Sequence, residues 1–225
     1  MNQSNISILD LPHEILLMIL KKLDNMDVLY SLSDVNNQRL DIIVQENIFT
    51  NSLNFVLTTS TDDIFSLVDP ILERFCINIL RRIHPNVKSL IFDSISMERI
   101  LLAVESPFRH IFQQQITDLI LVFENDFNEI SVKHYTTDVY EYILKFFKNL
   151  KNLSIIESFP HFSPPLALYN LPLTTFFSST LNKLCIDLMN YEDCLALLDG
   201  RLKQLTTLIV VICDMEYQSS NVYNM

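Results

Sequence analysis

The sequence predicts an α/β chain in which three short N-terminal helices precede a short, irregular repeat solenoid built on a parallel sheet. Three observations predict it. Apolar residues crowd residues 9–23, with helix signals at both ends. A six-position apolar frame recurs five times between Val87 and Val210. Helix-like segments at 97–104, 137–147 and 191–198 lie between the frames, so strands alternate with returning helices.

The first helix opens at Pro12, whose missing N–H would be unbonded there in any case. Glu14 in the first turn and Lys21 and Lys22 in the last suit the helix macrodipole. Between them Ile15, Leu16, Leu17, Met18, Ile19 and Leu20 are apolar in every direction around the axis. Such a helix is expected to be buried on all sides. Residues 24–27 read as the cap and first turn of a second helix reaching about Asp34. A third, over roughly 36–47, carries Leu40, Ile42, Ile43 and Val44. Three helices in so short a span make a marginal core. A surplus apolar face is therefore expected to meet another protein.

These residues resemble the F-box, the three-helix motif by which ubiquitin-ligase substrate receptors dock onto a Skp-family linker protein. The resemblance rests on Leu11-Pro12-x-Glu14-Ile15-Leu16, Ile19-Leu20-x-x-Leu23, and Asp27-Val28-x-x-x-Leu32 with Val35. It covers about residues 9–47. Where the family often has Val-Cys-Lys-Arg-Trp, this chain has Val35-Asn36-Asn37-Gln38-Arg39-Leu40, without the aromatic. The resemblance implies that Leu11, Pro12, Ile15, Ile19, Leu23, Val28 and Leu32 bind the linker and, through it, a cullin. Glu14 is counted with them and is also expected to help cap the first turn.

Bulk properties narrow the function classes. The chain has 225 residues, 49% of them hydrophobic, and its mean hydropathy is positive. That length suits one or two domains. No run approaches the ~18 apolar residues of a membrane-spanning helix, so no membrane partner is expected. The opening residues lack a basic region followed by a long apolar one, so no secretory signal is expected and a cytoplasmic or nuclear location follows. Cys76, Cys185, Cys194 and Cys213 show no Cys-x-x-Cys spacing and read as reduced, mostly buried thiols, not zinc ligands. The formal net charge of −11 opposes nucleic-acid binding. Residues 1–50 alone hold three Lys/Arg against seven Asp/Glu, so the helices are not expected to face phosphates.

After the three helices, a short strand is expected over 53–58 and a capping sequence at 61–63. A helical region then starts at Ile64, Phe65, Leu67 and Val68 and continues past Pro70 through Leu72, Phe75, Ile79 and Ile83. Residues 48–84 thus connect a first module, 1–47, to a third, 85–225. In the third module the frames are Val87-x-x-Leu90-x-Phe92, Ile116-x-x-Leu119-x-Leu121, Leu150-x-x-Leu153-x-Ile155, Leu181-x-x-Leu184-x-Ile186 and Leu205-x-x-Leu208-x-Val210. Their central leucines are 29, 34, 31 and 24 residues apart. The pattern resembles the degenerate leucine-rich repeats of F-box receptors, in which each unit buries its apolar side only by stacking on its neighbours. No frame falls within 96–115, which reads as a lost unit. The last frame is followed only by a polar tail without an obvious cap, so that end is expected to be adhesive.

The residues between the frame positions are expected on the opposite, open face of the sheet. One row is Ser89, Asp118, Asn152, Lys183 and Thr207. A second is Ile91, Ile120, Ser154, Cys185 and Ile209, and a third Asp93, Val122, Ile156, Asp187 and Val211. An apolar stripe beside polar residues suits a protein-binding groove. Ile91, Asp93, Ile120, Val122, Ile156, Asp187 and Ile209 are the expected contacts to a target protein, and an aromatic and proline-rich loop at 159–165 is a candidate for its rim.

Catalysis is not expected. His13, His84, His110, His134 and His161 are scattered, without metal-ligand spacing. Gly200 is the one glycine, which leaves neither a phosphate-cradling loop nor a nucleophile elbow in its usual form. No cofactor is implied. A Cys185 or Cys194 dyad with a distant His is the enzymatic alternative, set against a buried structural thiol. An F-box scaffold outside a cullin complex is the other.

Overall fold

A computed structural model describes residues 8–33, 35–58, 64–66, 69–93, 96–97, 108–123, 135–157 and 164–213. The chain forms two compact units, 1–116 and 117–225.

The first unit begins with α1, His13–Leu20, followed by α2, Asn25–Leu32, and α3, Gln38–Val44. Helix α1 stops at Leu20 because Lys22 and Leu23 turn back onto the Ile19 and Leu20 carbonyls at 3.0 Å, and Asp24 then starts the next helix. The Asp24 side chain accepts from the Met26 N–H at 2.8 Å. Asn37 caps α3 likewise, accepting from Arg39 N at 3.0 Å and Leu40 N at 3.2 Å. These caps hold N–H groups that a helix cannot bond internally. A short α4, Asn47–Thr50, buries Phe49. Helix α2 packs against α3, α4 and the strand β1, Ser52–Asn54.

The extended stretch predicted over 53–58 is two strands broken at Phe55. Strand β1 runs parallel to β4, Ser89–Asp93, with Leu53 opposite Leu90. Strand β2, Val56–Thr58, turns away and pairs antiparallel with β3, Ile64–Ser66. Residues 64–66 therefore form a strand, not the start of the predicted helix. Their backbone groups are taken up by the ladder to β2, which β-branched Val56, Thr58 and Ile64 favour. The caps expected at 61–63 lie outside the described residues. The helical region starts at Asp69, as α5, Asp69–Arg74, runs through a π-turn at Phe75–Ile79, and ends as α6, Leu80–Ile83. Its buried stripe is Leu72, Phe75, Ile79, Leu80 and Ile83, and the Phe75 ring meets Phe55 edge-on at 5.2 Å.

This segment also holds α2 and α3. Arg82 donates to the Ser33 carbonyl at the end of α2 and forms an ion pair with Asp41 of α3 at 2.5 Å. The Arg74 guanidinium lies 4.2 Å from the centre of the Tyr30 ring. Asn86 Nδ2 donates to the Gln45 carbonyl at 3.0 Å. Within 96–115, which carries no frame, the described residues include a helix, α7, Phe108–Gln115, while the helix expected at 97–104 lies, past residue 97, outside the described residues. Its Gln115 side-chain amide donates to the His84 and Val87 carbonyls, pinning the turn that leads into β4.

In the second unit β5, Asp118–Phe123, β6, Asn152–Glu157, β7, Lys183–Leu188, and β8, Thr207–Ile212, are parallel neighbours in chain order. Leu119, Leu153, Leu184 and Leu208 lie in one register across them. The frame leucines thus stack as rungs. Each strand opens in the same way: Asn152 N bonds to Thr117 O, Lys183 N to Lys151 O, and Thr207 N to Asn182 O.

What recurs is the strand, not a uniform strand-and-helix unit. A π-turn at Tyr135–Tyr140 and α8, Glu141–Phe146, precede β6, and α9, Tyr191–Leu197, precedes β8. Between β6 and β7 the described residues contain no helix. Pro164, Pro165 and Pro172 disfavour one, and Leu166 forms a parallel bridge to Leu188 at the end of β7. This irregular connection is held from α9. The buried Asp193 carboxylate accepts from Leu168 N at 2.5 Å and Tyr169 N at 2.7 Å, and also from Asn190 N at 3.2 Å in a capping box. Arg201, also buried, donates to the Pro172 and Thr175 carbonyls and pairs with Asp199 at 2.7 Å. Its guanidinium holds the Asp199 carboxyl below the usual carboxylate range.

Of the four thiols, Cys213 is exposed and the others are half-buried. Burial pushes the Cys76 thiol up to about 11, so it stays protonated at neutral pH and is a poor nucleophile. Alkylation with iodoacetamide at pH 8, followed by peptide mass mapping, is expected to label Cys213 well before Cys76. Equal labelling rates would contradict this environment for Cys76.

Candidate docking surfaces

Among the described residues, the apolar surfaces that bear on docking are one in each unit. The first belongs to α1. Leu16 and Leu20 are buried, and Leu17 is half-buried. Ile15 is 39% exposed, Met18 58%, Ile19 39% and Leu23 53%. The helix is therefore not buried on all sides, contrary to the expectation from its composition. Positions 16 and 20 are four residues apart and share one face, which packs inward. Residues 15, 18 and 19 take the other, with Leu23 beyond its end.

Pro12 and Glu14 are exposed on the same segment, while Leu11 and Leu32 are half-buried. Glu14 lies in the first turn, but the Pro12 cap position carries no side-chain hydrogen bond. Val28 is a correction: it is 1% exposed and belongs to the core with Leu29, because α2 turns that face toward its neighbours. Met18, which was not among the expected contacts, is the most exposed of the group. Its place in the apolar run hid it, since sequence alone does not rank six consecutive apolar residues. Ile42 and Ile48, elsewhere in the unit, are also exposed.

The second surface is the sheet face opposite the frame leucines. In the second unit Ile156 and Ile209 are exposed, as is Val211, and Ile120, Cys185 and Asp187 are half-buried. A polar row borders them: Asn152 Nδ2 donates to Asp118 Oδ1 at 2.5 Å, and Thr117 donates to the other Asp118 oxygen at 2.6 Å. Val122 is a correction, being buried along with Leu121 and Phe123, so the end of β5 is covered on both faces. In the first unit Ile91 is half-buried, and Asp93 is a second correction. It is fully buried, and its Oδ1 accepts from Ser96 N at 2.7 Å, tying off the turn after β4. A short polar side chain at a strand end bonds its own following backbone more readily than it serves an open face. Of the loop at 159–165, all but Pro164 and Pro165 lies outside the described residues.

Charge and composition differ between the surfaces. The α1 face is built from long aliphatic side chains with Lys21 and Lys22 at its end, whereas the sheet face alternates β-branched and polar residues. A family model described as the F-box domain matches residues 8–38. The match spans α1 and α2 and ends at the first residue of α3. No curated protein matches the chain.

Proposed function

We propose that this chain is a substrate-recognition adaptor of a Skp–cullin–F-box ubiquitin ligase. The observation that carries the reading is the exposed row Ile15, Met18, Ile19 and Leu23 on the helix within the F-box match. F-box domains bind Skp-type linkers, and a contiguous apolar row on a charged molecule is a partner site in search of a partner. In this reading residues 1–47 dock on the linker, 48–84 connect, and 85–225, taken as degenerate leucine-rich repeats, hold a target protein. Ile120, Ile156, Asp187 and Ile209 of the second unit line the target side. The chain works in the cytoplasm or nucleus and does no chemistry itself. It brings a target close to a charged ubiquitin-conjugating enzyme, which makes a reaction between separate molecules effectively intramolecular.

Affinity capture of the full chain from cells with the proteasome inhibited tests this. A Skp-family linker and a cullin should be recovered together with ubiquitinated targets. Recovery of the linker without a cullin would favour a scaffold outside the ligase, and recovery of neither would end the proposal. Ile156→Lys with Ile209→Lys should keep the linker and lose the target, because both side chains face outward and a charge there leaves the core intact. A target retained by that double variant would move the recognition surface elsewhere.

A further inference from the structure

We infer that Arg39 is the positioning residue of the linker-docking face, a role that rests on the docking reading above. Helix α1 has only eight residues, and its N-cap is Pro12, which offers no side-chain hydrogen bond. A helix this short is marginal without outside support. The support reaches it from α3. The Arg39 guanidinium donates through Nη1 to the Leu9 carbonyl at 2.6 Å and through Nη2 to the Leu11 carbonyl. Both acceptors lie just before the first helical residue, 30 and 28 positions away in the chain.

The rigid fork of a guanidinium holds two carbonyls at a fixed separation, which a lysine ammonium does not do. Arg39 is itself aimed by Asn37, whose side chain caps the Arg39 and Leu40 amides. The series runs from the Asn37 cap to the Arg39 backbone, to its fork, to the Leu9–Leu11 carbonyls, and so to the direction in which Leu11, Pro12, Ile15 and Ile19 are presented. Arg39 is half-buried and is not part of the exposed row. It acts on docking by raising the fraction of molecules in which α1 is already formed and correctly aimed, and apparent affinity scales with that fraction.

The test uses the full chain with Arg39→Met and Arg39→Lys. Titration calorimetry measures binding to a purified Skp-family linker, and hydrogen exchange with mass spectrometry follows the unbound chain. Arg39→Met should weaken linker binding by about tenfold and speed exchange in residues 13–20, leaving β1 and α2 at the wild-type rate. Arg39→Lys, which keeps the charge but not the fork, should recover part of both effects. Wild-type affinity in Arg39→Met overturns the positioning role alone. Exchange that accelerates equally through α1, α2 and β1 also overturns it, since Arg39 would then be a general staple of the unit. A wild-type chain that does not bind the linker overturns the docking reading and the positioning role together.

Discussion

Replacing Ile15 and Leu23 together with Asp should abolish capture of a Skp-family linker while the chain stays folded. In the unbound protein both side chains are largely open to water, at 39% and 53% exposure. New carboxylates there stay hydrated, and stability should change by less than about 1 kcal/mol. In the complex each carboxylate would be driven into an apolar contact without a partner, which costs several kcal/mol. Even at about 2 kcal/mol per position, the two losses together amount to roughly 1,000-fold in affinity. Leu16→Asp is the control. Leu16 is buried behind the same helix, so that variant should unfold the first unit and lose binding for a different reason. A double variant that unfolds at the wild-type midpoint and still captures the linker would remove the main support for the adaptor function.

The second large effect is expected at Asp193. Its carboxylate is fully buried and accepts three backbone N–H groups, from Leu168, Tyr169 and Asn190. Hydrogen bonds to a charged acceptor are each worth about 1.5–3 kcal/mol, and stranded buried donors carry their own desolvation penalty. Asp193→Ala should therefore destabilise the second unit by roughly 3–5 kcal/mol, read as a lower denaturation midpoint. Exchange should rise first at residues 166–170 and in α9. Asp193→Asn should lose less, because its amide oxygen still serves Leu168 and Tyr169 while its NH2 faces the Asn190 donor. An unchanged midpoint in Asp193→Ala would show that the β6–β7 connection is held by Arg201 and the bridge at Leu166 instead.

Several elements were legible because their signals are local. Asp24 caps α2 where a short polar side chain precedes an apolar run, as expected; Asn37 and Asn190 cap α3 and α9 by the same chemistry, although neither was expected from the sequence. The frame leucines stack across β5 to β8 because a period-two strand with every second residue apolar has one register that puts them all on one face, Leu119, Leu153 and Leu184 buried and Leu208 half-buried. Other features depended on partners remote in the chain. Ile64 to Ser66 read as helix by spacing, yet their backbone found a ladder on Val56 to Thr58. The Pro-containing connection before β7 gives no hint that Asp193 and Arg201 will hold it.

The candidate surfaces divide in the same manner. Composition and order were enough to determine that an oily three-helix module stands near the N-terminus, where its second helix is capped, and that parallel strands with aligned leucines follow, because each is a matter of neighbours within a few residues. Which side of α1 faces water, that Val28 is core, and that Asp93 and Val122 are withdrawn from the open face were decided only by packing. An apolar side chain is equally content against any apolar neighbour, so its direction depends on what the distant chain brings alongside it.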